Sequence, residues 1–267
     1  MFQGVEQSDS ERHLYEACPL CASKSFQRFA QGDCTNHPSY DPVLFPYIYW
    51  HKCDDCHHIF TDGYFTDEAA EIVFRKTQDN QRVGYNFEAN RYVSAEMIEK
   101  VLPYRDKGHW LDIGFGNGSL LLTAQEYGFS PVGVDLRGES VALIKQLGVE
   151  AYHDKLEHLT FDKSFAVVSM MDVLEHVPYP NDMLAQVGHL MEPGGVLFVS
   201  MPNCESSVWH QLNANNVNPY WNEMEHYHNF SRQRLYALLE DHGFMPVRYG
   251  ISKRYRVCME VVAVKKP

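Results

Sequence analysis

Leu111-Asp112-Ile113-Gly114-Phe115-Gly116-Asn117-Gly118 decides how this chain folds. A short apolar run, Trp110 to Ile113, enters alternating glycines, and helical spacing then carries Ser119 to Tyr127 as far as Gly128. A strand, a glycine turn and a helix in that order let bare backbone approach a ligand where side chains would collide. Val132 to Val134 forms the next strand and Asp135 ends it, at a position where a carboxylate can take both hydroxyls of a ribose.

Working outward, strands and helices alternate from His109 on, the pattern of a parallel α/β sheet. Downstream of Asp135, Val141, Ile144 and Leu147 share one helix face that stops at Gly148. Strands follow near Glu150 to Tyr152 and over Phe165 to Met171. Asn181 starts a helix with Leu184, Val187 and Met191 inward, ended by Pro193-Gly194-Gly195, and Val196 to Met201 is a fifth strand. Ser231 caps a helix bearing Leu235, Leu238 and Leu239 and closed by Gly243. Strands near Pro246 to Ile251 and Arg256 to Val264 come last. Upstream, Ala89, Tyr92, Val93, Met97 and Val101 recur at helical spacing until Pro103. Residues 18 to 64 are rich in Cys, Pro and aromatic residues. These textures divide the chain into an N-terminal module at 1–66, a helical linker and cofactor-covering helix at 67–107, and a Rossmann-like domain at 108–267.

Dinucleotide binding asks for G-x-G-x-x-G, but the loop reads G-x-G-x-G with Ser119 where the third glycine would stand. Asp112 would repel a pyrophosphate and suits a cationic sulfonium and amino group. The charge favours S-adenosyl-L-methionine. Residues 85 to 262 resemble a class I S-adenosylmethionine-dependent methyltransferase, of the group that includes ubiquinone-biosynthesis O-methyltransferases and sugar C-methyltransferases. The resemblance rests on LDIGFGNG at 111–118, VGVD at 132–135, MDVLEHVPYP at 171–180, EPGGVLFVSMPN at 192–203 and EHYHNFS at 225–231. It implies a seven-stranded sheet with an antiparallel last strand. It also implies that Gly114, Gly116 and Gly118 meet the methionyl part of the cofactor, with Asp112 nearby. Asp135 would hold the ribose, Leu136 would pack on the adenine and Asp154 would reach the adenine amine. The backbone at Met171 would meet the methionyl amino group, and Arg91 its carboxylate. Phe115, where Cys or Ala is common, and Ala166, where Asp is frequent, depart from the pattern.

Five of the seven cysteines fall between Cys18 and Cys56. Cys18-Pro19-Leu20-Cys21 and Cys53-Asp54-Asp55-Cys56 are two CxxC knuckles, and four thiolates so arranged close a tetrahedral, structural Zn2+ site. Ala22 to Phe26 and Tyr47 to His51 would supply the arms of a zinc ribbon. The long gap between knuckles leaves Cys34 and His51 as substitute ligands. A zinc ribbon ahead of a methyltransferase domain resembles zinc-containing sugar C-methyltransferases, although their usual further C-terminal domain has no counterpart in these residues.

Methyl transfer is an in-line displacement that needs an aligned nucleophile and often a base. The EH pair Glu225-His226 lies after the fifth strand, at the sheet end where open α/β folds place their sites. The resemblance to sugar enzymes makes both catalytic candidates, and His176 is the rival base. Asp172, Glu175 and His176 share one side of a helical turn, where ubiquinone O-methyltransferases hold a divalent cation. Met, Tyr and Trp residues at 201–222 suggest a substrate lid.

With 35 acidic against 23 basic residues the formal charge is −12, which makes nucleic acid an unlikely partner. No apolar run spans a bilayer, and Met1 to Ala17 carries no secretory signal. A cytoplasmic protein acting on a small-molecule methyl acceptor is expected. Alternatives are a methyltransferase of ribosomal RNA or protein, and a degenerate fold used as an interaction module. Oligomeric state has no sequence signal.

Overall fold

The computed structural model describes residues 11–74 and 81–267. The first ten residues, and residues 75–80 within the expected helical linker, lie outside the described residues. In chain order the elements are β1 (Arg12–Leu14), β2 (Phe26–Asp33), β3 (Tyr47–Cys53), β4 (Ile59–Thr61), β5 (Gly63–Phe65), α1 (Asp67–Phe74) and α2 (Phe87–Val101). Then come β6 (His109–Ile113), α3 (Ser119–Glu126), β7 (Ser130–Val134), α4 (Gly138–Gln146), β8 (Glu150–Tyr152) and β9 (Phe165–Met171). The chain closes with α5 (Pro180–Leu190), β10 (Met191–Pro202), α6 (Ser207–Ala214), β11 (His228–Asn229), α7 (Arg232–Asp241), β12 (Phe244–Ile251) and β13 (Cys258–Lys265).

Two compact units are present. One joins the described residues up to 74 with Cys204–Arg234; the other holds the described residues from 81 to 203 and Leu235–Pro267. The larger unit carries a seven-stranded sheet of order β12-β13-β10-β9-β6-β7-β8. β9, β6, β7, β8 and β10 run parallel, and β13 is antiparallel to both β10 and β12. This is the expected Rossmann-like methyltransferase sheet. Its central strands β9 and β10 are almost wholly buried and largely apolar because helices cover both faces. Met97, Ile98, Trp110, Leu120 and Phe198 fill one side, and Leu121, Val141, Ile144 and Val149 the other. Each fully buried side chain of this kind contributes about 1.5–3 kcal/mol of transfer free energy.

Some local expectations shift. Leu147 is 55% exposed because α4 ends one residue earlier, and Tyr92 is 66% exposed, with Ser94 and Ile98 buried on α2 instead. The expected helix stop at Pro193-Gly194-Gly195 comes at Leu190. Met191 already pairs with Phe165 and Val196 with Val167, so the proline and glycines occupy an irregular bulge inside β10. A Cβ on Gly195 would stand 2.9 Å from the Glu192 carbonyl oxygen, which leaves no room for a side chain there.

The smaller unit holds a four-stranded sheet, β11-β4-β3-β2, and the pair β1-β5. Its outer strand β11 comes from the returning segment: His228 pairs with Phe60 and Asn229 with Ile59. The first arm is a strand only from Phe26 on, not from Ala22.

Candidate functional site

In the larger unit the loop after β6 takes up the geometry its glycines permit. Gly114, Gly116 and Gly118 have φ of 67°, 59° and 75°. A Cβ on Gly118 would stand 2.4 Å from Ile144 Cδ1, and one on Gly114 2.7 Å from Val173 Cγ2, so both positions exclude side chains on two counts. Phe115 is buried over Gly133, whose missing side chain makes space for the ring: a Cβ there would lie 2.7 Å from it. The bulky residue at 115 is thus matched by a glycine one strand away. Ser119 does not open onto a ligand; its hydroxyl meets that of Ser94 on α2 at 3.1 Å.

Asp112 is buried beneath this loop. Its Oδ1 accepts the Ser169 hydroxyl at 2.6 Å, and Ser169 in turn accepts Trp110 Nε1–H at 2.8 Å. Burial pushes the Asp112 carboxyl up to about 7, against the pull of the Ser169 bond and the Arg254 charge. A cationic ligand nearby would restore the carboxylate.

Asp135 follows β7 directly. Its Oδ2 accepts Gly116 N–H at 3.2 Å, which ties the acid to the glycine loop. Arg137 adds three bonds: N–H and Nε–H to Oδ1 at 2.9 and 2.8 Å, and Nη2–H to Oδ2 at 2.6 Å. Sequence reasoning missed Arg137; its place two residues after the acid, where an Asx turn forms, was the available signal. Leu136, beside the acid, is 60% exposed. His153 Nε2 lies 3.0 Å from the Leu136 carbonyl oxygen. Asp154 is exposed, with its carboxyl held low by His158 and by the Lys155 N–H.

After β9, Met171 is buried and Asp172 takes φ 57°, a left-handed conformation uncommon for aspartate. Its N–H donates to the Ser200 carbonyl at 2.9 Å. Oδ1 accepts the Ser200 hydroxyl at 2.6 Å and Oδ2 accepts Arg254 Nη2–H at 2.8 Å. Of the trio spaced for a cation, Asp172 is therefore committed to a guanidinium, while Glu175 is buried and His176 half-buried in the turn Leu174–His176. Arg91 pairs with Glu126 through Nε–H at 2.9 Å, on the exposed surface. Glu126 ends α3, seven residues and roughly 10 Å along the helix from the glycine loop.

In the smaller unit the four knuckle cysteines converge. Their Sγ atoms all lie within 4.8 Å of one another, with Cys18–Cys56 at 3.6 Å and Cys21–Cys53 at 3.5 Å. Zn–S bonds of about 2.3 Å in a tetrahedron set S···S edges near about 3.8 Å, so the set fits zinc. The contact between the Cys18 and Cys56 thiols pulls Cys56 down to about 5 and, together with burial, pushes Cys18 up. Thiols crowded in this way share protons, and a bound dication would release them all. The knuckles are built alike. Ala22 N–H reaches Cys18 O at 2.9 Å, as His57 N–H reaches Cys53 O at 3.1 Å; Cys18 N–H bonds Ser23 O, as Cys53 N–H bonds His58 O. Ala22 and His57 have φ of 59° and 60°. Cys34 is buried outside the cluster and His51 does not join it.

The EHYH stretch belongs to this same unit. Glu225 Oε1 accepts the Ser39 hydroxyl, and Glu223 pairs with His37. Burial opposes the His37 imidazolium, but the Glu223 carboxylate outweighs it and raises the His37 pKa. Tyr227 O accepts Thr61 N–H at 2.9 Å, and His228 Nδ1 meets His58 Nε2 at 3.0 Å. His226 is buried, its ring stacked on Tyr220 at 6.4 Å between centroids. Trp209, in the stretch expected as a lid, is buried and packs against the half-buried Tyr220 and Trp221, and Trp221 also meets Trp50.

A seven-stranded sheet of this order, a loop of three left-handed glycines, an acid under it and an acid after the second strand of the sheet define a class I S-adenosylmethionine-dependent methyltransferase. A family model described as a methyltransferase domain matches residues 87–249, more than half of the chain, and the protein belongs to that family. The ubiquinone biosynthesis O-methyltransferase of Coxiella burnetii is 33% identical over 118 residues, 42% of this chain and 50% of that protein. The match thus spans about half the length of such curated relatives. Two solved structures share the fold. The 1,6-didemethyltoxoflavin-N1-methyltransferase of Burkholderia thailandensis, with its substrate and S-adenosylhomocysteine bound, has a TM-score of 0.56 at 20% identity, covering 80% of this chain and 98% of that one. Magnesium protoporphyrin IX methyltransferase from Synechocystis PCC 6803, with bound SAH, gives 0.53 at 18% identity, covering 68% and 84%. Among the described residues no helix is long and apolar enough to cross a membrane.

Proposed function

We propose that this protein transfers the methyl group of S-adenosylmethionine to a small molecule: a sugar, a lipid-linked sugar or a natural-product intermediate. The observation that carries the reading is the glycine loop with Asp112 buried under it and Asp135 bonded into it through Gly116 N–H. That pattern offers negative charge to a sulfonium and an amino group, and acceptors to a ribose. Gly114, Gly116, Gly118 and the backbone at Met171 would meet the methionyl part; Asp135, Leu136 and Asp154 would hold the adenosine. Relatives named for ubiquinone and toxoflavin chemistry support a small acceptor, as does the excess of acidic residues, which disfavours RNA.

Cys18, Cys21, Cys53 and Cys56 would hold one structural Zn2+, which suits a cytoplasmic setting where thiols stay reduced. When bound, it neutralises four thiolates and fixes both knuckles. His226 is the proposed base, supported by its place in the EHYHNFS match, with Glu225 fixing the segment through Ser39 and His176 as the rival base. A base within reach of the acceptor contributes roughly 10²–10⁴ to the rate. The experiment is acceptor-dependent formation of S-adenosylhomocysteine across a panel of sugars, phenols and heterocyclic amines. His226→Ala should cut turnover by roughly that factor and leave cofactor affinity unchanged. Turnover that survives His226→Ala and disappears in His176→Ala would transfer the role.

A further inference from the structure

A carboxylate offers about four lone-pair directions, and Asp135 has all of them taken. Two acceptances are fixed by the backbone, from Gly116 N–H and Arg137 N–H. The other two come from one guanidinium, Nε–H to Oδ1 at 2.8 Å and Nη2–H to Oδ2 at 2.6 Å, the side-by-side geometry in which arginine binds carboxylates best. The guanidinium is anchored at its remaining corner as well. Arg137 Nη1–H reaches the Gln81 carbonyl oxygen at 3.2 Å and its Oε1 at 3.4 Å. The pair is largely shielded from water, with side-chain exposures of 19% for Arg137 and 4% for Asp135. It is therefore a positioned ion pair and not a stray surface contact.

A ribose diol approaches such an acid with two O–H donors, and these need acceptor directions on Oδ1 and Oδ2. The backbone donors cannot leave without breaking the loop and the start of α4. Only the guanidinium can. We infer that Arg137 is an internal competitor for the ribose site: its side chain must leave Asp135 for the cofactor's hydroxyls to bind, so that it lowers cofactor affinity and speeds release of the spent cofactor. This rests on the reading of Asp135 as the ribose acid.

Arginine at this place would keep the acid from standing unpaired in its buried position while no cofactor is bound, where a lone carboxylate would be costly. The same bond then opposes the ligand. For an enzyme whose product differs from its cofactor by one methyl group and a charge, easier release of that product is a direct gain in turnover.

The test is calorimetric titration of the whole protein with S-adenosylhomocysteine, in wild type and in Arg137→Met, which keeps an unbranched stem and removes the donors. The variant should bind roughly tenfold more tightly, the size of one partly buried charge-assisted pair. The gain should vanish for the analogue whose ribose lacks both hydroxyls, because nothing then competes with the guanidinium. Arg137→Lys, a single donor point in place of a fork, should fall between the two and serves if the Met variant does not fold. Binding that weakens or stays unchanged in Arg137→Met, or a gain equal for both ligands, overturns the inference and leaves the cofactor reading standing. A wild-type protein that binds neither ligand overturns the cofactor reading itself.

Discussion

The glycine loop in the larger unit takes its shape from neighbours in sequence, whereas the cysteine cluster and the EHYH stretch in the smaller unit depend on residues far apart. Asp112, the three glycines, Asp135, Leu136 and Asp154 lie along consecutive strand ends, and each turn among them forms within a few residues. In the smaller unit Ser39 bonds Glu225 across 186 residues and His58 meets His228 across 170. Closing such loops costs entropy that a few polar bonds do not offset. The apolar core of that unit, with Trp50, Phe60, Trp209 and Phe230 buried, offsets it, and a zinc ion on the four thiolates would add on the order of 10 kcal/mol by tying the two knuckles together. The contrast teaches that the glycine loop is written in its own stretch of sequence, whereas the smaller unit closes through distant partners that a bound zinc would clamp.

The largest effect should therefore come from breaking that clamp. Chelation, or Cys53→Ser, should abolish hydrogen-exchange protection over β3 and β4 and, with them, over Cys204–Arg234, because β11 and the Trp221 carbonyl that accepts Trp50 Nε1–H belong to the same unit. Protection over β6, β7 and β9 and affinity for S-adenosylhomocysteine should persist. If 204–234 stays protected after zinc is removed, the clamp account is wrong.

That pairing marks the limit of what was legible. The strands and helices of the larger unit, the glycine loop and both acids follow from periodicity and turn residues, which act over short range, while the seven-stranded sheet follows from the family resemblance alone. The Cys-x-x-Cys knuckles are equally local. The membership of 204–234 was not legible: its Asn, Trp and His residues show no helical or alternating period, and their partners lie in another part of the chain. One failure was local. Pro193-Gly194-Gly195 reads as a helix stop but bulges inside β10, where strand pairing with Phe165 wins over turn propensity. Arg91, which the resemblance sets against the methionyl carboxylate, is paired with Glu126 on the exposed surface. Arg254 was passed over because its partner Asp172 lies 82 residues away, whereas Arg137 carried a local signal two residues after Asp135.

A middle-sized effect sharpens the other side of the comparison. The Asp112 carboxyl stands at about 7 in the fold because of its burial, against an ordinary 3.8. Between those values the folded protein keeps a proton that the unfolded chain has released, so stability falls as pH rises from about 4 through about 7. Asp112→Asn should hence gain in Tm over wild type increasingly from pH 5 to pH 8, by several degrees at the upper end. At pH 8 the variant should also lose S-adenosylmethionine affinity, by roughly tenfold, for want of the charge. A Tm difference that does not change with pH would contradict this placement of Asp112.

The smallest effect tests the knuckles. Ala22 and His57 hold left-handed backbone with exposed side chains, at a cost glycine avoids. Ala22→Gly and His57→Gly should each stabilise the zinc-loaded smaller unit by up to about 1 kcal/mol, read from its denaturant midpoint. A loss in either would mean that the side chain makes a contact worth more than the strain.

The central claim is that the locally built loop is a cofactor site for S-adenosylmethionine. Titration calorimetry of the purified protein with S-adenosylmethionine and, separately, with NADH tests it most directly. The account predicts one S-adenosylmethionine site per chain with a Kd in the micromolar range, about −8 kcal/mol, and no heat from NADH. It also predicts that Asp135→Ala weakens S-adenosylmethionine by roughly 1.5–3 kcal/mol, the worth of charge-assisted hydrogen bonds. Binding of NADH with none of S-adenosylmethionine, or an Asp135→Ala protein that binds as well as wild type, would contradict it.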